Sequence, residues 1–134
     1  MWLASRVLPE AGFDLPGRVA ISAATAAVGF ALCLAGILRF RQAGTTVDPR
    51  RPGQASALVT TGIYSVTRNP MYLGFLVVLV ACGIFVANAV ALLFGPAAFA
   101  LYIDRLQIPA EERALTQAFG DEYRAYTKRV RRWI

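Results

Sequence analysis

The sequence contains no histidine, so it lacks the side chain that proteins use most often as a general base and as a metal ligand. It has only two cysteines, Cys33 and Cys82, and both lie inside apolar runs, where they are typical of small buried side chains. They predict neither a disulfide framework nor a metal site. Any chemistry must therefore proceed without imidazole, and we expect no bound metal.

Charge is also scarce, at 16% of residues, and two long stretches lack it entirely. The first covers residues 19–38, between Arg18 and Arg39. Twenty helical residues span about 30 Å, which is the thickness of the hydrocarbon core of a bilayer. Because the run is apolar on every face, it favours a membrane-spanning helix over a buried helix of a soluble protein.

The second uncharged stretch covers residues 71–103. As one straight helix it would be about 50 Å long, too long for a single crossing. It therefore predicts two short helices joined by a tight turn at residues 86–88, where Asn88 is the strongly polar residue. Pro96 lies in the second arm and is expected to kink it.

These patterns predict an all-α, polytopic membrane protein of one domain, residues 1–134. We expect about three transmembrane helices, including a helical hairpin, at residues 19–38, 70–86 and 89–106. Residues 1–17 are broken by prolines and glycines and do not resemble a signal peptide. They are either a shortened helix or an interfacial segment, with apolar residues at Trp2, Leu3, Val7 and Leu8.

Residues 107–134 predict an amphipathic, helical tail. Pro109 is suited to begin a helix, Gly120 to close it and Asp121 to cap a last basic helix. An apolar stripe recurs at spacings of three and four residues, at Leu115, Phe119, Tyr123, Tyr126 and Val130. A basic helix with aromatic residues on one side predicts a helix lying on the surface of an anionic membrane.

The net charge of +6 would suggest nucleic acid in a soluble protein. Here the basic residues flank apolar runs, so we expect a lipid bilayer as partner and no nucleic acid. The loop at 40–68, with Arg50 and Arg51, and the tail carry most arginines, so the positive-inside rule places both in the cytoplasm and the N-terminus outside. We expect a multi-pass protein of a bacterial inner membrane; the sequence makes no prediction of its oligomeric state.

The polar residues concentrate in two segments, 60–74 (TTGIYSVTRNPMYLG) and 105–126 (RLQIPAEERALTQAFGDEYRAY). Together they resemble the isoprenylcysteine carboxyl methyltransferase family and its phospholipid methyltransferase relatives. The first is similar to the family's Gly-x-Tyr and Arg-His-Pro-x-Tyr-x-Gly pattern, here Gly62, Tyr64 and Arg68-Asn69-Pro70-Met71-Tyr72-Leu73-Gly74. The second is similar to its Glu-Glu signature with trailing aromatics, here Glu111-Glu112, Leu115, Phe119-Gly120, Tyr123 and Tyr126.

The resemblance covers about residues 46–133. Asn69 stands where many members have histidine, so a role that needs imidazole is not carried over, and larger relatives have more crossings. The resemblance implies methyl transfer from S-adenosylmethionine, enclosed between the hairpin and the folded-back tail. It implies cofactor-binding roles for Gly62, Tyr64, Arg68, Asn69, Pro70, Tyr72, Gly74, Gln107, Glu111 and Glu112, and catalytic roles for Arg68, Arg105 and Glu112.

Each candidate also has a plainer interpretation. Glu111 and Glu112 suit an ammonium group or ribose hydroxyls, but also suit the first turn of any helix. Arg68, with the amides that follow Asn69, suits a carboxylate, but is also typical of a positive-inside anchor.

The remaining candidates are equally open to two interpretations. Tyr64 and Tyr72 suit stacking on adenine but are also typical of an interfacial aromatic belt. Arg105 and Gln107 suit orientation of the acceptor or the cofactor, or the snorkelling end of a helix.

Transfer of a methyl group from a sulfonium is an in-line displacement, which asks mainly for proximity, alignment and exclusion of water. A carboxylate or thiolate acceptor needs no proton removed, whereas an amine needs a base, for which a glutamate is available. The predicted function is methylation of a lipophilic or membrane-accessible acceptor at the cytoplasmic face. The alternatives are a non-catalytic cofactor-binding or membrane interaction subunit, and a minimal transporter, which the uncharged runs disfavour.

Overall fold

A computed structural model describes residues 1, 6–7, 9–45 and 56–134. Apart from one isolated bridge between Gly12 and Asn88, the regular structure of these residues is helical, which agrees with the predicted all-α class. The described ranges contain four main helices: α1 (Arg18–Gln42), α2 (Pro70–Val86), α3 (Ala89–Tyr102) and α4 (Ile108–Arg129). Short 3₁₀ turns cover Pro9–Ala11 and Gly62–Ser65, and one π turn, Ile103–Gln107, joins α3 to α4.

Helices α1 and α2 pack closely because glycine removes side chains at their crossing. A Cβ atom on Gly74 would lie 2.5 Å from Cys33 Sγ and 2.6 Å from the Gly29 carbonyl oxygen. A Cβ atom on Gly29 would lie 2.7 Å from the Gly74 carbonyl oxygen. Only small residues let two helix backbones approach to this distance.

The predicted turn at residues 86–88 is confirmed. Helix α2 ends at Val86, Ala87 takes a left-handed conformation with φ 52°, and Asn88 precedes α3. The buried Asn88 side chain accepts a hydrogen bond from the Ala91 amide at 3.1 Å, which satisfies a free donor of the first turn. The Phe13 amide donates to the Ala87 carbonyl at 3.0 Å, so the segment before α1 lies at this hairpin end of the molecule.

The tail continues from α3 through the π turn without a loop. The predicted interruption at Gly120 is present, since this residue has φ 52° and ψ −122° inside α4. The Asp121 carboxylate accepts a hydrogen bond from Arg124 at 3.0 Å.

The apolar stripe of the tail is buried within the protein instead of facing lipid, and the position of the tail on a membrane surface stays a prediction. Tyr123, Tyr126 and Val130 form a buried cluster. The other contacts to this cluster come from Leu58, Leu115 and Phe119. The amphipathic pattern is real, but its apolar side packs against the polypeptide.

Two helical stretches, Arg18–Gln42 and Ala89–Arg129, are long and apolar enough to cross a membrane, and Pro70–Val86 is apolar but shorter. Large apolar side chains such as Phe30 and Phe94 are about two-thirds exposed on these helices. These features are consistent with a membrane protein, while the three-crossing topology stays a prediction. Trp2, Leu3 and Leu8, predicted to be interfacial, and Arg50 and Arg51, of the predicted loop, lie outside the described part of the chain.

Candidate functional site

The two polar segments meet at the end of the helices opposite the hairpin turn. Helix α2 begins at this end, and the chain returns to it through α3 and the π turn. The Tyr72 hydroxyl donates a hydrogen bond to Glu111, and Arg68 Nη1 lies 3.0 Å from Glu112 Oε1. The structure therefore brings residues from both halves of the sequence pattern into contact, across 39 to 44 positions of chain.

Glu112 is the centre of an ion-pair network. Its Oε1 atom contacts Arg68 Nη1 and accepts from Arg132 Nε at 3.1 Å, and its Oε2 atom accepts from Arg132 Nη2 at 2.7 Å. The Arg132 contact is a bidentate fork, the strongest geometry between arginine and a carboxylate. Both Glu112 oxygens are thus occupied by two guanidinium groups.

Arg132 also binds a second carboxylate. Its Nη1 atom donates to Asp104 Oδ1 at 3.0 Å, and the same oxygen accepts from Trp133 Nε1 at 3.1 Å. Hydrogen bonds to Glu112 and Asp104 raise the pKa of Arg132 above its ordinary value, so the guanidinium stays charged at every accessible pH. The sequence analysis missed Arg132, Asp104 and Trp133, because a terminal Arg-Arg-Trp is also typical of a membrane-flanking segment.

Glu111 has different surroundings from its neighbour. Its Oε1 atom accepts from the Tyr72 hydroxyl and from Gln107 Nε2, the latter at 2.9 Å, and both donors are neutral. Its Oε2 atom accepts no hydrogen bond from the part of the chain that the structure describes. No arginine of the described residues pairs with Glu111, and its Oε2 atom has no described hydrogen-bond donor.

Arg68 is held by several contacts, but one of its donors has no described partner. Its amide donates to the Arg131 carbonyl at 3.1 Å, and its Nη1 atom donates to the Tyr123 hydroxyl at 3.5 Å in addition to the Glu112 contact. Its Nε atom is buried and has no hydrogen-bond partner among the described residues. A buried donor without a partner is costly, so this atom indicates a place for a ligand acceptor.

The tyrosines around Arg68 are neutral hydroxyls rather than bases. Burial, followed by the nearby Glu112 charge, raises the pKa of Tyr123. Burial also raises the pKa of Tyr126, whose hydroxyl donates to the Tyr64 carbonyl at 2.7 Å. Both phenols stay protonated at neutral pH; the Tyr126 hydroxyl acts as a donor, and the Tyr123 hydroxyl accepts from Arg68 Nη1.

Four of the predicted cofactor residues have packing contacts. Tyr64 and Pro70 are buried, and the Tyr64 ring meets the edge of Phe40 at 5.2 Å between centroids. Gly74 lies at the α1–α2 crossing, and Gly62, with φ 64°, leaves room for the Arg39 guanidinium. Their contacts with a cofactor stay a prediction.

Asn69 lies at the start of α2 and Arg105 on the π turn, and their roles toward a cofactor or an acceptor stay predictions. Asn69 occupies the N-cap position of α2, but its side chain makes no cap hydrogen bond. Instead, Asn69 Nδ2 donates to the Arg132 carbonyl at 2.9 Å. Arg105 is exposed on the π turn, and within the described ranges no hydrogen bond or ion pair joins it to Glu112.

Comparison with known proteins gives one family. Residues 18–122 match the model of the phospholipid methyltransferase family. The chain is 35% identical over 113 residues to the protein-S-isoprenylcysteine O-methyltransferase of Schizosaccharomyces pombe, covering 79% of this chain and 47% of that protein. It is 44% identical over 68 residues to methanethiol S-methyltransferase 1 of Bradyrhizobium diazoefficiens, covering 51% of this chain and 22% of that protein.

A third relative is an uncharacterized protein of Haemophilus influenzae, 45% identical over 64 residues, which are 48% of this chain and all of that protein. The chain thus spans less than half the length of the two named methyltransferases. The family match covers both the apolar helices and the Tyr72–Glu111 and Arg68–Glu112 contacts. On this ground the resemblance found in the two polar segments is confirmed, and the chain belongs to the phospholipid methyltransferase family.

Proposed function

We propose that this protein is an S-adenosylmethionine-dependent methyltransferase that acts on a lipophilic acceptor at the cytoplasmic face of the membrane. One observation carries the proposal. Glu111 has one carboxylate oxygen that accepts no hydrogen bond from the described residues, and the buried Nε atom of Arg68 has no described partner. Both residues belong to the contacts that join the two polar segments at the end of the apolar helices. Family membership and the names of two relatives support the same reaction class.

The residues present fit the cofactor by charge. S-adenosylmethionine carries an ammonium, a carboxylate and a sulfonium. Glu111 would bind a cationic group through Oε2, and Arg68 would bind the carboxylate through the Nε donor that lacks a described partner. Tyr72 and Gln107 hold Glu111 in place with neutral donors, so its charge is retained for the ligand.

When bound, the cofactor supplies a methyl group on a positively charged sulfur, which is open to in-line displacement. The protein contributes orientation and exclusion of water. A carboxylate or a thiolate acceptor needs no base, which suits a chain without histidine. The two relatives are named for an isoprenylcysteine O-methyl transfer and a methanethiol S-methyl transfer, and we propose an acceptor of either class here.

We further propose three crossings, at residues 19–38, 70–86 and 89–106, in a bacterial inner membrane. The site end carries Arg39, Arg41 and Arg68 together with the basic tail, whereas the hairpin turn at the other end has no charged residue. The positive-inside rule then puts the site in the cytoplasm. Water-soluble cofactor would enter from the cytosol, and a lipophilic acceptor would enter from the bilayer.

A second candidate function is a cofactor-binding subunit without catalysis. It is favoured by Asn69, which stands at the family's histidine position and donates a hydrogen bond to the Arg132 carbonyl. Binding of cofactor without transfer of label to any extracted lipid or small molecule would support it.

The test is titration of the purified full chain in detergent with S-adenosylhomocysteine by calorimetry. We expect binding that Glu111→Gln weakens by at least about tenfold, because the cation loses its only charged partner. Glu122→Gln removes the same charge from an exposed position on α4 and should leave binding within about twofold. Absence of binding by well-folded wild-type protein would overturn the proposal.

If binding is found, radiolabelled S-adenosylmethionine is incubated with the protein and total membrane extract. Label in an extracted lipid or thiol supports the transferase and identifies the acceptor. Label in neither, with intact binding, supports the non-catalytic subunit instead.

A further inference from the structure

The last five residues form a non-helical segment, the C-terminal strap (residues 130–134), which lies at the site end of the protein. The chain leaves helical geometry at Val130, with φ −121° and ψ 128°. The strap is tied by its backbone to the residues immediately before α2. Arg68 N donates to the Arg131 carbonyl at 3.1 Å, and Asn69 Nδ2 donates to the Arg132 carbonyl at 2.9 Å.

The strap presents Arg132 to two carboxylates that come from different helical segments. Asp104 lies in the π turn, and Glu112 lies in α4 two turns further along. Arg132 bonds to both, with distances between 2.7 and 3.1 Å. The planar guanidinium of arginine has its donors in a fixed fork, so it can hold two carboxylates in one arrangement. The ammonium of lysine is a point charge without this fixed geometry.

The charge of Glu112 is therefore neutralised mainly by Arg132. Because the fork occupies both Glu112 oxygens, Arg68 contacts this carboxylate through Nη1 alone, and its buried Nε atom has no described partner. Without Arg132, Glu112 would have Arg68 as its one described charged partner, and the attraction between the two would direct the remaining Arg68 donors toward Glu112.

We propose that Arg132 is a positioning residue of the cofactor site, acting through Glu112 to keep Arg68 available for the anionic end of the cofactor. Glu112 is then an internal partner, and Glu111 alone of the pair receives the cationic end. This inference rests on the proposed function and adds to it a residue that the two matched segments do not contain.

The first experiment compares S-adenosylhomocysteine binding to three variants of the full chain in detergent, together with thermal unfolding of each. Arg132→Met should weaken binding at least about tenfold, and Arg132→Lys should give an intermediate loss because it keeps the charge but loses the fork. Arg129→Met removes the same charge from an exposed site in the last turn of α4, and it should stay within about twofold of wild type. If Arg132→Met does not fold, cofactor binding by Arg132→Lys is compared with binding by wild type and by Arg129→Met instead.

The second experiment separates positioning from simple stabilisation. In a Glu112→Gln background, Arg132→Met should change binding by less than about threefold, because the charge through which Arg132 acts is already gone. An effect of equal size in both backgrounds would overturn the positioning role, as would wild-type affinity in Arg132→Met. Failure of wild-type protein to bind would instead overturn the proposed function, so the two failures are distinguishable.

Discussion

At the scale of single residues, two adjacent glutamates have separate partners. Neighbouring positions on a helix point about 100° apart, so Glu111 and Glu112 face different groups. Glu111 meets neutral donors and Glu112 meets two arginines. The sequence predicted that one or both would bind a cation, but the partner that distinguishes them, Arg132, lies 20 positions beyond Glu112. No local pattern encodes a contact of that separation.

Glu112→Gln should destabilise the fold more than Glu111→Gln. The substitution leaves Arg68 and Arg132 without the carboxylate that they share, and removing one partner of a largely buried pair costs about 1–3 kcal/mol. The measurement is the thermal midpoint in detergent for both variants. Equal midpoints would contradict the unequal roles of the two carboxylates.

Asn69→Ala should lower stability by about 1 kcal/mol, because the side-chain bond to the Arg132 carbonyl is lost. Asn69→Asp should cost more, since it replaces that donor by a charged acceptor facing a carbonyl oxygen. The loss is measured as a shift of the unfolding midpoint. An Asn69→Asp variant as stable as wild type would show that the strap does not depend on this bond. The sequence placed Asn69 correctly at the start of α2 but could not show that its side chain reaches the far terminus.

At the scale of helices, the lengths of the uncharged runs and the positions of helix-breaking residues were sufficient to predict much of the structure. The uncharged run at 71–103 was too long for one helix, and the turn is found at Ala87 and Asn88. The interruption at Gly120 also followed from residue type. The partner of the tail's apolar side could not be predicted, because an apolar stripe has the same spacing whether it contacts lipid or protein. Tyr123 and Tyr126 meet protein.

Gly74 determines how closely two helices pack, because the atoms nearest to it belong to α1. Gly74→Ala should cost about 1–3 kcal/mol and loosen the α1–α2 contact, since the new Cβ would lie 2.6 Å from the Gly29 carbonyl oxygen, which cannot move without its helix. Gly95→Ala is the matched control in α3, where the nearest atoms belong to the flexible Met1 side chain at 3.3 Å. Thermal unfolding of both variants tests the prediction. A midpoint for Gly74→Ala no lower than for Gly95→Ala would contradict the close crossing.

At the scale of the whole molecule, a two-residue turn explains why both polar segments reach one end. The hairpin sends α3 back alongside α2, so the residues before α2 and those after α3 become neighbours. This juxtaposition was predictable from the apolar run alone. The closing of the site by the strap was not, since it depends on a fold-back in which Thr67 and Arg132 approach across 65 positions.

The proposed orientation predicts opposite labelling of the two ends of the molecule. In a Cys33→Ala and Cys82→Ala background, Ala89→Cys and Ala125→Cys place single thiols at exposed positions, one after the hairpin turn and one in the tail. Because arginine is retained on the cytoplasmic side, a membrane-impermeant maleimide should label the Ala125→Cys variant in inside-out vesicles and the Ala89→Cys variant in right-side-out vesicles. Both variants should be labelled in permeabilised vesicles, which shows that each thiol is reactive. Labelling of both from one side would exclude an odd number of crossings between the hairpin turn and the tail, and with it the three-crossing topology.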